Sequence, residues 1–95
     1  MNTVVNTPIR FVYANTKNGR KATVAYTYDD ANNQINVSVA ECSKRDRFCK
    51  AIGRNVAVGR LAHRGGKQVP YAAIGSTRYR DIAAYIVNNI DNLTY

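Results

Sequence analysis

Two segments rich in β-branched and aromatic residues, "IRFVYA" (Ile9 to Ala14) and "KATVAYTY" (Lys21 to Tyr28), flank the stretch "NTKNG", and this arrangement constrains the fold most. Asn18-Gly19 supplies the positive φ that a tight turn between twisted strands needs, so the three pieces predict a β-hairpin. Along the second segment Ala22, Val24, Tyr26 and Tyr28 point one way and Lys21, Thr23, Ala25 and Thr27 the other. That alternation predicts a strand with one buried face and one wet face. After "DDANN", the segment "QINVSVA" sets Ile35, Val37 and Val39 against Asn36 and Ser38, which extends the hairpin to a three-stranded antiparallel meander.

The period changes at Ser43. Ser43 with Asp46 three residues later has the spacing of a capping box, and the residues beyond recur at helical intervals. At 100° per residue Phe48, Ala51, Ile52, Val56 and Val58 share an apolar sector, with Arg47, Lys50 and Arg54 gathered opposite. Gly53, Ala57 and Gly59 put small side chains in this helix, where each glycine costs roughly 0.8–1 kcal/mol relative to alanine. Either another helix, a subunit or a ligand comes close there, or the helix kinks or ends near Gly59. Gly65-Gly66 break the helix, "VPYAAI" reads as a short edge strand because Pro70 lacks a ladder donor, and "GSTRYRDIAAYIVNNIDNL" reads as a second amphipathic helix. In that helix Tyr79, Ile82, Ala83, Ile86 and Ile90 face the sheet or the first helix. The expected architecture is α+β: a three-stranded antiparallel meander followed by a helix, a short edge strand and a helix.

Ninety-five residues cannot divide their apolar side chains between two stable cores, so residues 1–95 read as one domain, with residues 1–7 loose. Cys42 and Cys49 straddle a strand end and the following helix, a placement unsuited to a disulfide, and read as free thiols in a reducing cytoplasm. One histidine, His63, and two cysteines supply too few soft ligands for a zinc site, and no apolar run approaches the roughly 20 residues of a membrane span. Phe48 and Tyr79 sit on apolar faces and read as core.

A formal charge of +8 points to an anionic partner, without separating nucleotide, nucleic acid, membrane surface and acidic protein. Local pattern narrows the choice. Arg47, Lys50 and Arg54 project from one helix face at the spacing of successive turns, as a phosphate groove or as a plain hydrated face. In "GSTRYR" two arginines fall in the first turn of the second helix, against the macrodipole. An anion held there by free N–H groups, the Ser76 and Thr77 hydroxyls and the Arg78 and Arg80 guanidiniums would make sense of that placement; two hydrated arginines covering apolar surface are the alternative. Tyr71 and Tyr85 are the aromatics best placed to stack on a base. Arg54, Arg60, Ser76, Thr77, Arg78, Arg80, Tyr71 and Tyr85 are therefore the expected ligand contacts. No paired carboxylates, nucleophile motif or Walker pattern appears, so no catalytic residue, metal or cofactor is expected.

The runs "IRFVYANTKNGRKATVAYTYD" and "VSVAECSKRDRFCKAIGRNVAVGRL", with their Cys-Ser helix start and "FxxxxGRxxAxGRL" pattern, resemble the phage Thoeris anti-defence sponge family over residues 9–61. The resemblance implies a homo-oligomer that traps cyclic ADP-ribose isomers between subunits without cleaving them, silencing an immune signal in the host bacterial cytoplasm. It also implies cyclic oligonucleotide binding at separate sites in some members. Two other readings stand beside it: a basic nucleic-acid-binding module, and an inhibitor that docks on an acidic host protein.

Overall fold

The computed structural model describes residues 8–42, 50–64 and 66–93. Strands β1 (Arg10–Asn15), β2 (Lys21–Asp29) and β3 (Gln34–Glu41) pair antiparallel in chain order. Helix α1 (Lys50–Arg64) follows, and β4 (Lys67–Pro70) returns antiparallel to β3, giving one sheet in the order β1-β2-β3-β4. A helical turn α2 (Tyr71–Ile74), helix α3 (Tyr79–Asn88) and a last turn α4 (Ile90–Leu93) complete the chain. This is the α+β arrangement that the residue pattern predicts. The expected helix start at Ser43, with Asp46, Arg47, Phe48 and Cys49, lies outside the described residues.

The hairpin closes on Lys17, Asn18 and Gly19. The Gly19 N–H donates to the Thr16 carbonyl (2.9 Å), the Thr16 N–H to the Arg20 carbonyl (2.9 Å), and Gly19 has φ 79°. This is a turn followed by a left-handed residue, with glycine where a side chain would be strained. Between β2 and β3, Asp30–Asn32 form a 3-10 turn that ends on Asn33 at φ 54°. Both connections hold the strands in a register that sets Val12 beside Val24 and Val24 beside Val39, one apolar row across three strands.

That row belongs to the larger core. Ala22, Val24, Tyr26, Ile35, Val37 and Val69 face Ile82 and Ile86 of α3 and Ile90 and Leu93 of α4. Burial, and secondarily the neighbouring Tyr28, pushes the Tyr26 phenol up to about 12. The second face of the sheet is not wet, contrary to the alternation in β2: Thr23 and Ala25 are 0% exposed and Thr27 4%. Helix α1 covers Thr23 and Ala25, with Ala25, Ala40, Ala57 and Leu61 forming a separate small core. The molecule is thus three layers deep, α1 on one face and α3 with α4 on the other.

The docking of α1 inverts the expected helix face. Gly53, Ala57 and Leu61 meet the sheet, whereas Ile52 is 64% exposed and Val56 40%. A Cβ on Gly53 would overlap the Thr23 hydroxyl, so the close neighbour that compensates this glycine is β2. Ser38 Oγ donates to the Ala57 carbonyl (2.5 Å), a buried bond that ties the middle of α1 to β3. The helix runs through Gly59 to Arg64 without ending there.

Two further expectations shift. The edge strand spans Lys67–Pro70, and Tyr71–Ile74 is helical because Pro70, at φ −64° and ψ 145°, starts a helix readily but cannot donate to a ladder. Helix α3 begins at Tyr79 and breaks at Asn89, and Tyr79, expected in the core, is 55% exposed beneath the Arg10 guanidinium, 5.6 Å from its ring centre. It packs on the sheet and not on α1, which lies on the other side. No helix among the described residues is long and apolar enough to cross a membrane.

Candidate anion-binding site

Alternation along β1 sends Arg10, Val12 and Ala14 to the α3 face and Phe11, Tyr13 and Asn15 to the α1 face. On α1, Lys50 and Arg54 lie one turn apart and project together. Phe11 and Tyr13 meet Lys50 and Arg54 at the β1 edge of the α1 layer. Lys50 Nζ sits 4.8 Å from the Tyr13 ring centre, Arg54 Nη1 donates to Tyr13 Oη (3.0 Å), and the Arg54 guanidinium carbon lies 6.0 Å from the Phe11 ring centre. Each cation is oriented by an aromatic ring, and among the described residues neither is paired with a carboxylate. Beside them a pocket of about 190 Å³ is lined by Tyr13, Ala14, Asn15, Lys21, Ala22 and Lys50.

The expected contacts divide between the two outer layers. Arg54 belongs to this corner. Arg60 leaves α1 on its opposite flank and donates to the Val39 carbonyl (2.6 Å), satisfying a stretch of the β3 edge that β4 is too short to reach. Ser76, Thr77, Arg78 and Arg80 lie on the α3 side of the sheet, as do Tyr71 and Tyr85, which pack against the larger core. Among the described residues the eight therefore lie on both faces of the sheet.

At the start of α3 the cap also differs from expectation. Arg78 is the N-cap residue, and no side chain caps the helix; Ser76 Oγ accepts from the Arg78 N–H (3.0 Å), closing a turn two residues too early to cap. Asp81 in the first turn supplies a negative charge that suits the macrodipole, offsetting the two arginines. Tyr71 is engaged internally: its hydroxyl donates to Asp30 Oδ1 (2.6 Å), and its ring lies 6.5 Å from that of Tyr28. Burial first, then the Asp30 hydrogen bond, raises its phenol to about 12.

Sequence reasoning missed Tyr13, Phe11, Asn15 and Lys21 as site residues. The period-two pattern of β1 already placed three of them on one face; the signal it lacked was that α1 covers that face. Among the described residues no group of three or more metal-ligating side chains gathers. Compared with protein-family models, curated proteins and solved structures, the chain matches none.

Proposed function

We propose that the protein is a non-catalytic binder that captures a phosphorylated nucleotide signal through the corner formed by β1 and α1. The observation that carries this reading is the pair Lys50 and Arg54, both held on Tyr13 and, among the described residues, neither neutralised by a carboxylate. A guanidinium and an ammonium one helical turn apart suit two oxygens of a phosphate or adjacent oxygens of a pyrophosphate, with Arg54 contributing directional donors. The exposed ring of Tyr13 offers a stacking face beside them.

Pocket size argues for an assembly. Pockets that enclose a drug-sized molecule run to about 300–1,000 Å³, and the open depression of about 190 Å³ here is smaller than that. A homo-oligomer would supply the missing walls, in keeping with the resemblance to the Thoeris anti-defence sponges, whose ligands are cyclic ADP-ribose isomers and whose place of action is the infected bacterial cytoplasm. On that reading Arg78 and Arg80, with Ser76 and Thr77, form a separate contact region on the far layer, where a second subunit or a cyclic oligonucleotide would sit.

Titration with cyclic ADP-ribose isomers, followed by heating and mass spectrometry of what is released, tests the proposal. Saturable binding, lost in Lys50→Ala with Arg54→Ala, and recovery of the ligand intact are expected. Unaltered affinity in that double variant would remove the corner from consideration, and a cleaved product would remove the non-catalytic reading. A second reading, single-stranded nucleic acid, is favoured by the openness of the same corner, where Tyr13 is 37% exposed between two cations. Its mark is a steep dependence of affinity on salt, whereas a pocketed small ligand gives a shallow one.

A further inference from the structure

Among the described residues the outer edge of β1 is an unfilled position in the sheet, and its hydrogen-bonding parity follows from two bonds. The Thr16 N–H donates to the Arg20 carbonyl and the Cys42 N–H to the Lys21 carbonyl. Arg20 therefore turns its backbone groups to β1 and Lys21 to β3, and the alternation continues down β2. Ala22, Val24 and Tyr26 bond to Ala14, Val12 and Arg10, which leaves the N–H and C=O groups of Phe11, Tyr13 and Asn15 directed off the sheet. Among the described residues no strand lies beyond β1. Such edges are ordinarily guarded by proline, a bulge or charged side chains along the strand. Arg10–Asn15 contains no proline, pairs with β2 without interruption, and has one charged residue, Arg10, at its end.

We propose that this edge receives an extended acidic segment of another protein, which adds to the sheet as a fifth strand. The main-chain groups of Phe11, Tyr13 and Asn15 would supply the ladder, as in other cases of strand addition, and side-chain alternation would supply the selectivity. Residues of the incoming segment on the α1 face come to lie beside Tyr13, beneath Lys50 and Arg54. Acidic side chains fit there. Residues on the other face lie beside Val12 and Ala14, which are half-buried against the larger core, and apolar side chains fit. Charge selects this occupant over the same edge of a second copy, which has a formal charge of +8 and would bring another Lys50 and Arg54 to the same place; a subunit that completes the pocket would approach through a different surface. The inference shares Lys50 and Arg54 with the nucleotide reading but does not rest on it, because its ladder is made by backbone groups that a phosphate ligand leaves untouched.

The probe is a fluorescent nine-residue peptide of alternating glutamate and valine, compared with one of identical composition whose glutamates form a single block and with one carrying lysine for glutamate. The alternating peptide is expected to bind at least tenfold more tightly than either. Amide exchange of Phe11, Tyr13 and Asn15 should slow at least tenfold on binding, while that of Val12 and Ala14, already in the ladder, stays as it was. Tyr13→Pro, which removes one outward donor, should weaken the peptide at least tenfold relative to Tyr13→Ala, which keeps it. Equal binding of the blocked peptide, or protection without this every-second-residue pattern, would overturn strand addition. Sedimentation showing that the protein alone pairs through this edge, with no displacement by the peptide, would overturn the choice of occupant.

Discussion

Gly53 of α1 rests directly on Thr23 of β2: a methyl group at position 53 would overlap the Thr23 hydroxyl and stand 3.0 Å from its Cβ. In isolation Gly→Ala within a helix stabilises by about 0.5–1 kcal/mol. Here the overlap should win, so Gly53→Ala is expected to destabilise by about 1–3 kcal/mol in urea unfolding. A Cβ added at Gly59 would meet nothing within 4 Å among the described residues, and Gly59→Ala should stabilise by about 0.5–1 kcal/mol. Thr23→Ala should recover part of the Gly53→Ala loss, since it removes both the obstructing atom and a buried hydroxyl without a hydrogen-bond partner. Equal and favourable effects of the two glycine substitutions would refute the close approach.

Ser38→Ala removes the donor to the Ala57 carbonyl. A loss of about 0.5–1.5 kcal/mol is expected, the usual net contribution of one intramolecular hydrogen bond. The same denaturation experiment reads it, and an unchanged midpoint would mean that this bond contributes nothing.

Two phenols make stability fall at high pH. Those of Tyr26 and Tyr71 are raised to about 12 in the folded chain, above the value near 10 of an unfolded tyrosine. The folded state thus favours the protonated form. Their contribution is complete below about pH 10 and is lost as pH rises toward 12. The urea midpoint should decline across that window, and Tyr71→Phe should flatten the decline while removing the bond to Asp30. An identical pH profile in the variant would contradict the assignment.

Lys50→Ala and Arg54→Ala are expected to lower affinity for phosphorylated nucleotides at least tenfold each, with little change in melting temperature. Arg78→Ala and Arg80→Ala lie on the opposite layer and should leave that affinity within about twofold. Calorimetric titration of the four variants decides between the two layers. The reverse ranking would move the site to the start of α3.

The meander, the hairpin turn and the core row through Val24 were readable because period two and Asn18-Gly19 are local signals. The buried second face of β2 was not. Thr23, Ala25 and Thr27 are small and half polar, which suits both water and a closely packed helix, and only the placement of α1 separates the two. The same ambiguity reversed the reading of α1 itself. Apolarity singled out Ile52 and Val56, whereas the sheet selected residues small enough to approach it, Gly53 and Ala57. At the candidate site, Lys50 and Arg54 were legible as a stripe. Tyr13 was not, because it lies about forty residues away in the chain and joins them only through packing between layers.

The slot that admits Gly53 also fixes the azimuth of α1. Rotating the helix by one residue in either direction would drive the branched side chain of Ile52 or the long one of Arg54 into a gap sized for a hydrogen atom. Ammonium and guanidinium are consequently aimed at the rim of the sheet by the absence of a side chain where α1 meets β2, a form of aiming that no charged neighbour has to provide.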